Sequence, residues 1–168
     1  MSADPLIVSA LLGARDFAWL DGLRRAHYPP DRNRVPAHLT LFHHLPPSVG
    51  PELKQRLAEA TRTPRPRAGA AGLINLGRGV AVRIDAPALE EIRADLADAF
   101  SGLLMPQDAA PWRPHVTIQN KVAPEEARAL LKQLEGEFRR RPVAVEGLAV
   151  WAYRDGDWGL VSRHPFRG

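Results

Sequence analysis

The feature that most constrains the fold of this chain is an order of predicted elements that occurs twice. In the first half, apolar periodicity and turn residues predict a strand at Leu6–Leu12, a helix at Ala14–Ala26, a strand at Leu39–His43, a helix from about Pro51 and a strand at Arg67–Leu76. In the second half they predict the same order at Val80–Asp85, 86–104, Val116–Gln119, 124–140 and Val143–Trp151. Two similar units of this kind can form two lobes related by a pseudo-twofold axis.

Each half also carries the same polar pair inside an apolar strand. His38 and Thr40 belong to "PAHLTLF", and His115 and Thr117 belong to "RPHVTIQ". Residues two apart in a strand point to the same face, so each histidine projects beside its threonine while apolar neighbours face the other way. The two histidines are 77 positions apart, and so are the two threonines. If the two strands are neighbours, all four side chains converge on one cleft.

The repeat predicts a single α+β domain over the 168 residues, with lobes at about 5–78 and 79–154. After the second lobe, "VWAYRDGDWGLV" is typical of a terminal hairpin with its turn at Asp155–Asp157. The segments "HYPPDRNRVPA" and "MPQDAAPWRP", which precede the two motifs, are predicted to be irregular loops.

Composition narrows the kinds of site that the chain can hold. There are no cysteines, so a disulfide framework and a thiolate metal site are excluded, and we expect a reducing compartment such as the cytoplasm. The apolar run Leu6–Leu12 follows Asp4 instead of a basic region, which predicts a first strand and neither a signal peptide nor a membrane span. The net charge of +4 suits a phosphate-bearing partner, although an arginine-rich composition explains it equally well.

Two imidazoles and two hydroxyls in one cleft are suited to phosphoryl chemistry without a metal. One imidazole near its usual pKa of about 6.5 can take a proton from a nucleophile, and its protonated counterpart can give one to the leaving oxygen. The hydroxyls can donate hydrogen bonds to the non-bridging oxygens, where charge gathers. The near-symmetric motifs leave open which histidine is the acid and which is the base.

The motifs "HLTL" and "HVTI" resemble the paired His-x-Thr-apolar signatures of the two-histidine (2H) phosphoesterase superfamily. Within it, the chain is most similar to the bacterial 2′-5′ RNA ligase and RNA 2′,3′-cyclic phosphodiesterase group. The resemblance implies a bilobal fold with two antiparallel β-sheets lining a central cleft and helices outside. It also implies that His38 and His115 are the catalytic pair, with Thr40 and Thr117 holding the phosphate.

The same resemblance implies an enzyme that opens 2′,3′-cyclic phosphates, or that cleaves or joins 2′-5′ linkages, with no metal and no cofactor. The expected partners are RNA ends or small nucleotides with a cyclic phosphate, not a membrane, and we expect a monomer. The chain departs from the family where the first motif continues into "FHHLPPS", because family members commonly have an aromatic-Leu-Gly segment there. The second motif continues into Gln119-Asn120-Lys121, where small and basic residues are often found.

Four further residues are candidates for substrate binding. Arg113 shares the alternation of His115, and its fork of donors suits a phosphate. Arg83 points opposite to its apolar strand neighbours and can face the same cleft. Trp112 and Tyr28 flank the motifs in loops and are candidate base-stacking platforms. Exposed arginines and packed aromatic rings are the alternative interpretations.

His43 and His44 follow the first motif closely, but the pattern argues against a shared metal ion. In a strand they face opposite ways, and His44 lies about 20 Å along the strand from His38. We therefore expect a strand-end or loop position for both.

Two other classes of function compete with an enzyme. One is a non-catalytic RNA or nucleotide binder that uses the same cleft, and the other is a structural or partner-binding domain. Simple binding does not need two titrating imidazoles, and no amphipathic tail is visible in the sequence, so the enzyme is favoured.

Overall fold

The computed structural model describes residues 3–168, and its elements follow the predicted order. The five α-helices in this range are α1 (Ala14–His27), α2 (Gly50–Ala60), α3 (Pro87–Ala99), α4 (Pro106–Ala109) and α5 (Pro124–Glu137). The eight strands in this range are β1 (Leu6–Leu12), β2 (Leu39–Leu45), β3 (Gly69–Asn75), β4 (Val80–Asp85), β5 (His115–Gln119), β6 (Arg141–Pro142), β7 (Val145–Arg154) and β8 (Asp157–Pro165). The predicted α+β class is confirmed.

All eight strands found in residues 3–168 belong to one antiparallel sheet, in the order β6-β3-β4-β5-β2-β1-β7-β8. The two sheets implied by the family resemblance are thus two halves of a continuous sheet. We call them the β2 half sheet (β2, β1, β7 and β8) and the β5 half sheet (β5, β4, β3 and β6).

Each half sheet combines strands from both predicted lobes. β3 of the first repeat pairs with β4, and β7 of the second repeat pairs with β1. The short connection between Asn75 and Val80 explains the first exchange, because a tight turn leaves β3 and β4 as neighbours in a hairpin. Gly77 has a φ of 89° in this turn, and its N–H donates to Asn75 Oδ1 over 2.7 Å. The pseudo-twofold order of the two repeats is retained. In each repeat, the third strand joins the half sheet that contains the first two strands of the other repeat.

The two half sheets meet where Leu39 of β2 pairs with Val116 of β5. Within residues 3–168, this is the one residue pair that joins these two strands. In an antiparallel pair the positions on either side project to the opposite face. His38 therefore lies across from Thr117, and Thr40 lies across from His115.

Four helices, α1, α2, α3 and α5, cover the sheet face opposite these polar side chains. α1 and α5 pack against the β5 half sheet, where Trp19 and Leu134 approach Leu73 and Val82. α2 and α3 bury their leucines in the same core, which lies between the helices and the sheet. The sheet contributes four fully buried side chains to the centre of this core: those of Leu39 and Val116 in the motifs, and those of their neighbours Leu41 and Ile118.

Three predicted ends differ from the structure for local reasons. α3 ends at Ala99 instead of residue 104, and Gly102 just beyond it has a φ of 87°, which is incompatible with a continuing helix. α5 ends at Glu137 because the chain turns extended at Phe138 to form β6. β7 continues past Trp151 to Arg154, where Asp155 and Gly156 both have positive φ and form the hairpin turn.

Within residues 3–168, no helix is both long enough and apolar enough to cross a membrane.

Candidate active site

The four histidine and threonine side chains line one cavity of about 340 Å³, which we call the central cavity. His38 immediately precedes β2 and Thr40 lies within it, while His115 and Thr117 belong to β5. The structure therefore brings the two motifs together on one face of the sheet. Their catalytic roles remain predictions.

Both imidazoles are held in the same way by their own strands. His38 Nδ1 lies 2.7 Å from the carbonyl oxygen of Pro36, and His115 Nδ1 lies 2.6 Å from the carbonyl oxygen of Arg113. A carbonyl oxygen can only accept, so each Nδ1 carries the proton and donates it. This leaves Nε2 of each ring to exchange a proton with a ligand.

The environment of His38 differs from that of its counterpart. The ring of His38 packs against the indole of Trp158, with 4.6 Å between the ring centroids, and Trp158 in turn lies 6.0 Å from Trp151. The pKa of His38 is lowered to about 4, chiefly by burial and against the opposing effect of the hydrogen bond to Pro36. The positive charge of Arg24 and the nearby imidazoles of His43 and His115 contribute to this lowering. His38 is thus neutral at pH 7.

The backbone at the two threonines is fixed by side chains from outside the motifs. Trp112 Nε1 donates to the carbonyl oxygen of Thr40 over 3.0 Å. Arg24 Nη1 donates to the carbonyl oxygen of Thr117 over 2.9 Å. These bonds position β2 and β5 at the points where the hydroxyl groups project into the central cavity.

Arg24 in α1 and Arg93 in α3 occupy corresponding helices of the two repeats. Arg93 donates from Nε to the carbonyl oxygen of Leu41 over 3.1 Å and from Nη2 to that of Asp108 over 2.6 Å. Each helix therefore binds the motif strand of the other repeat, since Arg24 reaches β5 and Arg93 reaches β2. Both arginines are buried, so these bonds supply the partners that a buried guanidinium needs.

Sequence reasoning missed both buried arginines, although a signal was present. Arg24 follows the buried Leu20 by four positions, and Arg93 follows the buried Leu89 by four. Each arginine thus lies on the apolar face of its helix, where a charged residue needs a specific partner.

Two of the four substrate-binding candidates line the central cavity. Arg113 is exposed there, and half-buried Trp112 contributes part of the wall. The indole N–H of Trp112 is engaged with Thr40, and its ring lies 6.0 Å from the guanidinium of Arg93. Their roles toward a substrate remain predictions.

The other two candidates are placed differently. Arg83 is paired with His115 across β4 and β5 and so shares its face, but its Nη2 donates to the carbonyl oxygen of Ala71 over 3.1 Å. Tyr28 does not line the central cavity: it is buried, and the guanidinium of Arg24 covers its ring at 4.1 Å. The base-stacking role predicted for Tyr28 is not supported, because its ring already packs on a cation.

His43 joins the central cavity because β2 contains a bulge. Ser9 pairs with Thr40 and Val8 pairs with Phe42, so β2 has one residue more than β1 between these pairs. The additional residue inverts the alternation of the strand and turns His43 to the face of Thr40.

The two later histidines lie at a strand end, one of the two positions expected for them. β2 extends to Leu45, two residues beyond the predicted end at His43, and so includes both. His43 lines the central cavity, whereas His44 is exposed and lies outside it.

Other concave surfaces lack the chemistry of the central cavity. A larger groove of about 1080 Å³ is lined by arginines and by the β3 and β6 backbone, and it contains neither motif. An apolar cavity of about 360 Å³, smaller than this groove, adjoins His38 and is lined by Trp151, Trp158, Phe17 and Val35. Among residues 3–168, no group of three or more His, Cys, Asp or Glu side chains is arranged to hold a metal ion.

Comparisons with solved structures show the fold that this chain shares. TT0787 of Thermus thermophilus has a TM-score of 0.67 and 20% identity, with 98% of each chain covered. Escherichia coli LigT complexed with NADP⁺ has a TM-score of 0.62 and 20% identity, with both chains fully covered. LigT complexed with 3′-AMP has a TM-score of 0.59 and 21% identity, covering 99% of this chain and 100% of LigT.

Comparison with curated protein sequences finds no match. The family model of the 2′-5′ RNA ligase superfamily, in contrast, matches residues 13–157, a range that includes both motifs. The model covers most of the chain and agrees with the shared fold. The resemblance to 2H phosphoesterases is thereby confirmed, and the chain belongs to the 2′-5′ RNA ligase superfamily.

Proposed function

We propose that this chain is a metal-independent phosphoesterase that hydrolyses 2′,3′-cyclic phosphates at RNA ends or on nucleotides, or that cleaves or joins 2′-5′ linkages. The observation that carries this proposal is the meeting of both His-x-Thr pairs in the central cavity, with each Nδ1–H donated to a backbone carbonyl. Two imidazoles with free Nε2 atoms supply a proton acceptor and a proton donor, so neither proton transfer requires a metal.

The neutral state of His38 supports its assignment as the base. In hydrolysis, His38 takes a proton from water as the water oxygen forms a bond to phosphorus. His115, in its protonated state, gives a proton to the ribose oxygen as the bond from that oxygen to phosphorus breaks. The cyclic phosphate is thereby converted to a phosphate monoester, and the reverse reaction exchanges the two roles.

The threonines complete this proposal. Their hydroxyl groups project beside the two imidazoles and are suited to donate hydrogen bonds to the non-bridging oxygens of the reacting phosphate. The bonds from Trp112 and Arg24 to the threonine carbonyls hold these hydroxyls in place before the substrate arrives. Such preorganised donors stabilise the charge that develops in the transition state.

A nucleotide substrate agrees with the family and with the net charge of +4. The LigT structures with NADP⁺ and 3′-AMP contain nucleotides bound to a protein of the same fold. We propose that the enzyme acts as a cytoplasmic monomer on RNA ends or small nucleotides.

The test is an assay of the purified chain in EDTA with three substrates: a nucleoside 2′,3′-cyclic phosphate, a short RNA ending in a cyclic phosphate, and a 2′-5′ dinucleotide. We expect turnover of at least one of them, unchanged by the chelator. Activity that is lost in EDTA and restored by a divalent ion would contradict a metal-independent mechanism. Tight binding of these nucleotides without any turnover would favour the non-catalytic binder instead.

A further inference from the structure

His43 and Asp108 form a pair in the central cavity that the two-histidine mechanism does not use. His43 Nδ1 lies 3.1 Å from Asp108 Oδ1, and the side chain of Asp108 is only 1% exposed. The N–H of His43 donates to both carboxylate oxygens, at 2.9 and 3.0 Å, and the N–H of His44 donates to Oδ2 at 2.9 Å. The two backbone N–H groups hold the buried carboxylate in place, and the carboxylate in turn orients the ring of His43 through Nδ1.

The ionisation of Asp108 suits this arrangement. Burial by itself raises the pKa of the carboxyl group, but the hydrogen bonds from the His43 ring and from the N–H groups of His43 and His44 outweigh it and lower the pKa overall. Asp108 is therefore an acceptor for the Nδ1–H of His43, which leaves Nε2 as the ring atom available to a ligand.

The pair also makes the site asymmetric. The position 77 residues after His43 is Asn120, which lies outside the central cavity and accepts a hydrogen bond from the N–H of Lys121 instead. The motif residues are thus nearly equivalent in the two repeats, whereas the third imidazole is present on the β2 side alone among residues 3–168. A substrate that contacts it can bind in one direction only.

The charges around His43 favour an anion. Arg93 and Arg113 line the central cavity together with His43, and both oxygens of Asp108 already accept hydrogen bonds from N–H donors. Gln107, also in the wall, adds an uncharged donor. His43 lies three residues beyond Thr40, but the bulge shortens their separation along the strand to about two residue spacings, roughly 7 Å. The reacting phosphate lies beside the motif threonines in the proposed function, so a second anionic group placed further along β2 would contact His43.

We propose that His43, held by Asp108, binds a second phosphate group of the substrate, separate from the phosphate that reacts. Two substrates carry such a group: an RNA strand, through the phosphodiester next to its cyclic end, and a mononucleotide with an additional 5′-phosphate. The inference rests on the proposed function for the identity of the reacting phosphate, and it deepens that function by assigning a substrate class.

The kinetic test compares three substrates: a nucleoside 2′,3′-cyclic phosphate, its 5′-phosphorylated form, and a dinucleotide ending in a cyclic phosphate. We expect wild type to prefer the 5′-phosphate or the dinucleotide, and the preferred one identifies the source of the second phosphate. His43→Gln should lower the ratio of kcat/KM for that substrate to kcat/KM for the single-phosphate substrate by about 10-fold, because it removes a hydrogen bond to a charged group. Asp108→Asn, which keeps the imidazole but loses the carboxylate, should lower the same ratio by a smaller factor.

The matched control is His44→Gln, since His44 is the adjacent residue, is exposed and lies outside the central cavity. It should leave the ratio unchanged. A ratio that is the same in wild type and His43→Gln would overturn the proposal, as would an equal loss of the ratio in His44→Gln.

A binding measurement separates this inference from the proposed function. Calorimetry with a nucleoside 3′-phosphate and a nucleoside 3′,5′-bisphosphate requires no turnover. Tighter binding of the bisphosphate to wild type, with the preference lost in His43→Gln, supports the second-phosphate site even if every cyclic phosphate proves inert. Equal affinities for the two ligands, together with equal turnover of all three substrates, would overturn the site while leaving the phosphoesterase intact.

Discussion

Leu39 and Val116 lie opposite each other at the join of the two half sheets, and both side chains are fully buried. The residues on either side of this pair are the two histidines and two threonines that line the central cavity. The core beneath the sheet and the site above it therefore depend on the same strand pairing. A shift of one residue in either β2 or β5 would turn the histidine and threonine of that strand into the core.

Leu39→Ala should lower the free energy of unfolding by about 2–5 kcal/mol, because it leaves a cavity where the half sheets join. Urea denaturation monitored by tryptophan fluorescence measures this loss. Leu103, whose surface is 50% exposed, provides the control, and Leu103→Ala should change the free energy by less than about 0.5 kcal/mol. Equal stability of the two variants would contradict the central position of Leu39.

His38→Ala and His115→Ala should each lower kcat on a cyclic phosphate by about 10²–10⁴-fold, the usual effect of removing a general acid or base. Thr40→Ala and Thr117→Ala should cost about 1–3 kcal/mol of transition-state stabilisation, since each removes one hydrogen bond to a charged group. Steady-state kinetics measures all four, with His44→Ala as the unaffected control. Near-normal turnover in either motif-histidine variant would exclude two-imidazole catalysis.

The pH dependence of kcat/KM should show an acid limb with its midpoint near pH 4. His38 must be neutral to accept a proton, and burial lowers its pKa to about 4, so the enzyme stays active well below the usual histidine range. An acid midpoint at about 6.5 would contradict the lowered pKa of His38.

The same pKa predicts that acid destabilises the fold. Below pH 6.5 the unfolded chain takes up a proton at His38, whereas the folded protein does so only near pH 4. The free energy of unfolding should therefore be constant above pH 6.5 with respect to this group. It should fall by roughly 1–3 kcal/mol as the pH drops from 6.5 to 4.

Urea denaturation of wild type and His38→Gln at pH 7, 5.5 and 4.5 isolates this contribution. Burial also lowers the pKa of His164, but His164 is present in both proteins, so its effect cancels in the difference. The variant should lose less stability than wild type on acidification. Parallel pH dependence in the two proteins would contradict the low pKa of His38.

Local patterns in the sequence determined much of what the site contains. β1 and β4 have the predicted bounds, Leu6–Leu12 and Val80–Asp85, because the apolar character of a buried strand is visible without its partners. The shared face of His38 and Thr40, and of His115 and Thr117, follows from the two-residue period of a strand. The repeat spacing then indicated that the pairs meet, and the α+β class followed from the order of elements.

Contacts between distant segments decided the rest. The third strand of each repeat pairs with the other half, an arrangement set by the hairpin between β3 and β4 and the neighbours of β7. Arg24 and Arg93 find their acceptors on strands of the opposite repeat, 93 and 52 positions away. These partners are distant in sequence, so local propensity does not reveal them.

His43 shows most directly what could not be predicted from the sequence. Regular alternation from His38 and Thr40 assigns His43 to the opposite face, but the bulge between β1 and β2 reverses that assignment. Its partner Asp108 lies 65 positions away, in a segment predicted as an irregular loop that instead forms the short helix α4. The sequence by itself determined which residues can carry the chemistry, because side-chain type and strand period are local properties. The tertiary structure alone decided which of them face the cavity, because a bulge and a hydrogen bond between distant residues exist only once the strands and loops have packed together.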